Sequence, residues 1–266
     1  MVPADSRSKK DGPALDAGQY TIDSILKYEL AYGRHFVSPG GHDASMALIS
    51  KMGLSPSDHV LDVGCGLGGC AFLMASHFKL SVDAIDLSEN MIALASERLS
   101  ALHQIQNRVH LSQGDCLDIN AQQTYQGVYS RDVFLHIEDK KRLFTVLQRA
   151  LADGGVLLFT DYCCSEKPWN ANFSAYVKER GYHLYTVSEY EQILRESGFE
   201  VVAAEDATPL FIAYCEDELE RIRSITAADE VRSSLISDWI AKIDRARAGN
   251  QRWGQFVARK SPASQH

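Results

Sequence analysis

No stretch of the chain reaches 18 consecutive apolar residues, about the minimum for a helix that crosses a bilayer. The N-terminal Met-Val-Pro-Ala-Asp-Ser-Arg-Ser-Lys-Lys also lacks the apolar core of a signal peptide. The expectation is a cytoplasmic protein with no stable membrane insertion. Cys65, Cys70, Cys116, Cys163, Cys164 and Cys215 form no CxxC pair and no zinc-type spacing. Reduced thiols packed as small hydrophobes are therefore expected, and no metal. Seven prolines and 18 glycines are too few for a fibrous chain, and 45% hydrophobic residues are too many for a disordered one. Positive charge is in deficit, with 27 basic against 35 acidic residues and a net −8 at pH 7, which argues against broad attraction to nucleic acid or an anionic membrane. A small-molecule ligand fits better, handled by a monomer. At 266 residues the chain suits one large α/β domain with additions.

Residues 1–17 are polar and read as a loose tail. From Gln19 to about Met52, Ile22, Ile25, Leu26, Leu30 and Tyr32 recur at helical spacing, interrupted by Ser38-Pro39-Gly40-Gly41. Residues 18–54 thus predict a helical segment able to close over the main domain as a lid. From His59-Val60-Leu61-Asp62-Val63 onward, short apolar runs alternate with amphipathic helices. Further strands are predicted at Ser81–Ile85, Val109–Ser112, Val128–Arg131, Val156–Thr160 and Phe199–Ala204, with a last one at Trp253–Arg259. The helix after Asp139 carries Leu143, Phe144, Leu147 and Leu151, with Gly154-Gly155 as its expected stop. Strands alternating with helices imply a mainly parallel, doubly wound sheet over residues 55–260. Two stretches, about 162–187 and 209–249, break the alternation. Ligands bind such sheets beyond the carboxyl ends of the strands, where both insertions can cover one.

Val60-Leu61-Asp62-Val63-Gly64-Cys65-Gly66-Leu67-Gly68-Gly69 turns from strand to helix, and Gly64, Gly66 and Gly69 satisfy GxGxxG. Nicotinamide and flavin enzymes share that pattern, so Asp62 decides between ligands. A carboxylate two residues before the first glycine repels a pyrophosphate and suits a ligand bearing an ammonium group. Asp86 ends the next strand, 22 positions beyond Gly64, where it can accept from both ribose hydroxyls. Asp115, after Gly114, offers a carboxylate to an exocyclic adenine amine. Three acidic strand ends and no phosphate clamp describe S-adenosylmethionine as the cofactor. Taken singly, Asp86 and Asp115 are equally well helix caps or turn formers.

In these residues the chain resembles the class I methyltransferases that use S-adenosylmethionine. The resemblance implies a Rossmann-like α/β fold whose final strand is antiparallel and whose insertions form helical lids. From about Gln19 to Lys260 the chain resembles the small single-domain phosphoethanolamine N-methyltransferases. The motifs that carry this are Ser38-x-Gly40-Gly41, Ser130-Arg131-Asp132-x-x-Leu135-His136, Thr160-Asp161-Tyr162-Cys163 and Gln251-Arg252-Trp253-Gly254. Cys65 in the glycine loop and Pro39 beside Ser38 depart from the family pattern.

The resemblance implies successive N-methylation of phosphoethanolamine, through mono- and dimethyl forms, to phosphocholine. It further implies a catalytic pair of Tyr20 and His136, with Asp132 orienting the acceptor nitrogen. The phosphate pocket would comprise Tyr162, Tyr176, Arg180, Tyr182 and Lys242, and cofactor contacts would come also from Gln19, Tyr20, Ser38, Leu87, Cys116 and Arg131. A helical turn over 132–137 would put Asp132 and His136 on one side, and Phe173, Tyr176 and Arg180 share a helical face. A histidine near its ordinary value of about 6.5 suits proton uptake. Three other readings stay open: methylation of a sterol carbon or an amino acid nitrogen, a cofactor-binding regulatory protein with a lapsed site, and a nicotinamide oxidoreductase. The last is disfavoured by Asp62 and by the want of a second substrate domain.

Overall fold

The computed structural model describes residues 15–261. Most of the polar tail expected at 1–17 lies outside them, and residues 15–17 form a helical turn. Two helices precede the sheet, α1 (Ile22–Tyr32) and α2 (Gly41–Lys51). The alternating region then runs β1 (His59–Val63), α3 (Gly69–Ser76), β2 (Ser81–Asp86), α4 (Glu89–Ser100), β3 (Val109–Gln113), β4 (Tyr125–Arg131), α5 (Lys140–Ala150) and β5 (Leu151–Cys164). It closes with α6 (Ala171–Arg180), α7 (Val187–Glu196), β6 (Phe199–Asp206), α8 (Thr208–Ser224), α9 (Asp229–Arg247) and β7 (Gln251–Lys260).

The seven strands form one sheet in the order β3-β2-β1-β4-β5-β7-β6. β3 through β5 are parallel, and β7 runs antiparallel between β5 and β6, pairing Phe159 with Phe256 and Tyr162 with Trp253. Strands covered on both faces need apolar side chains on both, which is why Val60, Leu61 and Val63 of β1 are all buried. One face packs α3 and α4 through Phe72, Met74, Leu80 and Val82, and the other packs α5 and α7 through Leu143, Phe144, Leu147 and Tyr190. A third apolar cluster joins α1, α8 and α9 over the carboxyl edge through Tyr32, Phe211, Leu235, Trp239 and Trp253.

The structure moves two expected boundaries. Helix α5 stops at Ala150, and Leu151 already pairs with Tyr125 in β4. The next registered pair is Gly127 with Val156, so residues 152–155 bulge out of the ladder. Gly154, at φ +74°, makes that bulge possible. The glycine pair therefore bends a strand instead of ending a helix. The helical stretch expected over 209–249 is two helices, broken between Ser224 and Asp229, which fold back on one another.

Candidate functional site

At the carboxyl ends of β1, β2 and β4 the chain encloses a cavity of about 1540 Å³. All the site residues named from the sequence line it: Gln19, Tyr20, Ser38, Asp62, Gly64, Gly66, Asp86, Leu87, Asp115, Cys116, Arg131, Asp132, His136, Tyr162, Tyr176, Arg180, Tyr182 and Lys242.

One end is acidic. Gly64 sits at φ +69°, and a Cβ there would lie 2.2 Å from Val133, so only glycine lets β1 turn into the loop beneath it. Gly66 donates its N–H to Asp86 Oδ2 at 2.8 Å, and Ser88 donates to Oδ1 at 2.9 Å. Asp86 is thereby oriented by two backbone amides. Asp115 accepts from Leu117 N at 2.8 Å and caps the short 3₁₀ turn Cys116–Asp118, so a capping role coexists with its place on the cavity wall. Asp62 is 2% exposed and its Oδ2 has no hydrogen-bond partner among the described residues. Burial, and then the neighbouring Asp86, push its carboxyl up to about 7. Burial likewise raises Cys70 to about 11 and Cys116 to about 12, which keeps these wall thiols protonated and excludes thiolate chemistry at neutral pH.

The N-terminal segment docks against this end. Asp16 accepts from the Ser88 hydroxyl and, at 3.0 Å, from Glu89 N, while Asn90 Nδ2 donates to Tyr20 O at 2.9 Å. The start of α4 thus holds both Asp86 and the backbone of Tyr20. Arg131 is 5% exposed, and its guanidinium donates to Pro39 O and, at 2.9 Å, to Ser45 Oγ. It fastens the Ser38–Gly41 turn, as does Glu218, which accepts from Gly40 N at 2.6 Å.

The middle of the cavity carries Tyr20, Asp132 and His136. Asp132 adopts a left-handed φ of +56° and His136 ends a 3₁₀ turn, Phe134–His136, in place of the helical turn expected over 132–137. Asp132 Oδ1 accepts from Trp253 Nε1 at 2.7 Å and Thr160 Oγ1 at 3.2 Å, and its buried Oδ2 has no partner among the described residues. Tyr20 Oη lies 3.0 Å from His136 Nε2. Burial, and then Lys140, His183 and Arg180, push the imidazole down to about 4, well below the ordinary value assumed from sequence. Burial raises the Tyr20 phenol well above its usual range. With the ring neutral and the phenol intact, Tyr20 donates to Nε2 in the tautomer that carries the ring proton on Nδ1.

The far end is aromatic and cationic. His136 meets Tyr182 edge-on at 5.3 Å, and Tyr182 meets Tyr176 edge-on at 5.8 Å. Gln19 Nε2 donates to the Tyr182 hydroxyl at 3.4 Å. Arg180 lies 6.0 Å from the Tyr176 ring, on the exposed rim. Phe173, on the same helix, is 1% exposed and packs beneath Tyr176. Lys242 is buried, donates to the Tyr32 hydroxyl and sits 4.0 Å over Trp239. Arg245, one helical turn further on, lies 3.9 Å over the Tyr176 ring. Sequence reasoning missed Arg245 and Tyr28, which line the same cavity, Tyr28 beside the Arg180 guanidinium. The i, i+3 spacing from Lys242 was the available signal for Arg245.

A methyltransferase domain family matches residues 31–204. The phosphoethanolamine N-methyltransferase of Plasmodium falciparum is 32% identical over 261 residues, covering 94% of this chain and 97% of that one. The chain belongs to the phosphoethanolamine N-methyltransferase family. Phosphoethanolamine N-methyltransferase 1 of Arabidopsis thaliana is 39% identical over 254 residues, covering 93% of this chain and 51% of its own length. The chain therefore spans about half the length of that plant relative. Among solved structures, phosphoethanolamine N-methyltransferase 2 of Haemonchus contortus, in complex with phosphomonomethylethanolamine and S-adenosylhomocysteine, superimposes with a TM-score of 0.88 at 33% identity, covering 93% of this chain and 59% of that one. The sheet with its antiparallel last strand is the α/β class I methyltransferase fold of this family. No helix among the described residues is long and apolar enough to cross a membrane.

Proposed function

We propose that the chain transfers the methyl group of S-adenosylmethionine to the nitrogen of phosphoethanolamine, and in turn to its mono- and dimethyl forms, giving phosphocholine. The observation that carries this reading is one cavity with a buried Asp62 oxygen, unpartnered among the described residues, at one end, a tyrosine–arginine notch at the other, and the Tyr20–His136 contact between them. The residues present fit the cofactor: a buried carboxylate oxygen on Asp62 wants a cationic partner, and Asp86 is held ready by two amides. Asp62 would take its ammonium, Asp86 its ribose hydroxyls, and Asp115 its adenine amine. When bound, it supplies an activated methyl group on a sulfonium. Related solved structures with S-adenosylmethionine or S-adenosylhomocysteine support the assignment.

The remaining chemistry belongs to the side chains. A primary amine with a value near 10 is about 99.9% protonated at neutral pH, so freeing its lone pair costs about 4 kcal/mol. Asp132 Oδ2, without a partner among the described residues, orients the acceptor's ammonium. As the nitrogen gives up a proton to Tyr20 Oη, the Tyr20 proton passes to His136 Nε2, leaving a phenol and an imidazolium. An anionic acceptor lodged near Arg180 offsets the positive charges that hold the imidazole low and so favours this transfer. Arg180 and Arg245 grip the phosphate, since guanidinium forks match its oxygens. The faces of Tyr176 and Tyr182 accommodate the growing quaternary cation. Residues 18–54 act as the cover that brings Tyr20 over both ligands and excludes water. The same reading places the protein in the cytoplasm as a monomer.

Two measurements test it. Purified protein with methyl-labelled S-adenosylmethionine should label phosphoethanolamine and its mono- and dimethyl forms, and leave ethanolamine, sterols and glycine unlabelled. Equal labelling of ethanolamine would remove the phosphate notch from the account. Second, Asp62 must be ionised to hold an ammonium, and in the free protein its carboxyl titrates at about 7. Below that pH, binding must expel a proton, so cofactor affinity should fall about tenfold per pH unit from 7 to 5.5. Calorimetry should show the slope in the native protein and a flat, weaker profile in Asp62→Asn. A flat profile in the native protein would mean that Asp62 is not the ammonium's partner.

A further inference from the structure

Lys140 opens α5 and is completely buried. A helix N-terminus carries partial positive charge, so a buried cation there needs strong local compensation. Its ammonium donates to three carbonyls, Phe134 O at 2.9 Å, Ile137 O at 2.7 Å and His183 O at 2.7 Å, which uses all three protons. The rings of Tyr185 and Tyr190 lie 4.8 and 5.7 Å away. The counter-charge is Asp161, also fully buried, which accepts from Leu135 N at 3.1 Å and from the Tyr190 hydroxyl. His183 N in turn donates to Leu135 O at 2.8 Å.

These bonds converge on the backbone around His136. Phe134, Leu135 and Ile137 are each tied to Lys140, Asp161 or His183, and His183 adjoins Tyr182, whose ring packs against the imidazole. Lys140 and Asp161 act on one another through their charges without a direct bond; charges buried in this way seldom add stability over well-packed apolar side chains, whereas charge-assisted bonds fix geometry well. We propose that Lys140, balanced by Asp161, is a positioning residue for methyl transfer, locking the His136 turn and the Tyr182 segment into one unit between the two halves of the cavity. The inference rests on the reading of His136 as proton acceptor.

The same ammonium acts on the charge of the ring. Around His136 stand Tyr20 from the N-terminal segment, Arg180, Tyr182 and His183 from the insertion, and Lys140 from α5, with Asp132, Glu138 and Asp139 on the same cavity wall. Removing the Lys140 charge takes away the largest of the neighbouring positive influences and raises the proton affinity of the ring.

The test is Lys140→Met, which keeps most of the stem and deletes the donors and the charge. The His136 imidazole is followed by NMR against pH, its resonance assigned by its loss in His136→Asn. Its titration midpoint should rise by about one pH unit or more, kcat should fall more than tenfold, and cofactor Kd should stay within about threefold. Tyr190→Phe, which removes one bond to Asp161 and keeps the ring, should lower kcat about threefold with cofactor Kd unchanged. If Lys140→Met does not fold, Lys140→Gln, which also deletes the charge, decides through the same titration and kcat, and Tyr190→Phe is read by kcat alone. An unmoved midpoint together with kcat within twofold of native overturns the proposal. Should the native protein fail to methylate phosphoethanolamine, the titration still separates that failure from this one.

Discussion

Replacing His136 with alanine lowers kcat for phosphoethanolamine about 10²- to 10⁴-fold and leaves S-adenosylmethionine affinity within about threefold. The expectation comes from where the ring sits. His136 touches Tyr20 and Tyr182 and stands apart from Asp62 and Asp86, so its loss removes a proton acceptor and leaves the acidic end intact. What persists is the alignment of two ligands held in one cavity, worth a large effective concentration by itself. Without the acceptor only amine already free of its proton reacts, so the variant's rate should climb about tenfold per pH unit toward the amine's own value. The native profile should be flatter, because burial and the surrounding cations keep the imidazole neutral across the physiological range. Asp86→Ala should do the reverse, raising cofactor Kd more than tenfold while kcat at saturation changes little. Equal losses of cofactor affinity in the two variants would falsify this division of labour.

The parts of the site that the sequence displayed are those built from neighbours in the chain. The glycine loop, Asp62 and Asp86 lie within one strand-turn-helix unit and its successor, so spacing alone placed them at the edge of the sheet. Tyr20, His136 and Tyr182 come from segments far apart in sequence, and only a family pattern brought them together before the fold was known. Lys140, Tyr28 and Arg245 escaped even that, because their roles depend on what packs against them. A lysine at the start of a helix after Glu138-Asp139 reads as a solvated charge until β5 and α7 bury it against Asp161 and Tyr190. Proton affinity was illegible for the same reason. An ordinary histidine value was the natural expectation, and enclosure by protein, and then Lys140, His183 and Arg180, lowered it. The Gly154-Gly155 pair shows the opposite limit, a strong local signal whose partner strand turned a stop into a bulge.

Arg180→Ala should raise KM for phosphoethanolamine about 10- to 150-fold, matching the roughly 1.5–3 kcal/mol of a hydrogen bond to a charged group, with kcat much less affected. The structure puts Arg180 on the exposed rim, where solvent screens part of the attraction and the lower end of that range is expected. A second guanidinium sharpens the test. Arg245 lies against the Tyr176 ring and is better enclosed, anchored by its Nε to Gln251 Oε1 at 3.0 Å. Arg245→Ala should therefore weaken the acceptor at least as much as Arg180→Ala. If both guanidinium groups grip one phosphate, the double variant should lose less than the product of the two single effects, because the first removal already loosens the anion that the second would hold. Lys242→Met offers the contrast: its ammonium is held by the Tyr32 hydroxyl and lies over the Trp239 ring, so it should cost thermal stability more than acceptor KM. Unchanged KM in both arginine variants, with Lys242→Met raising it, would move the phosphate to the buried lysine. That outcome would leave the Tyr176 notch as packing.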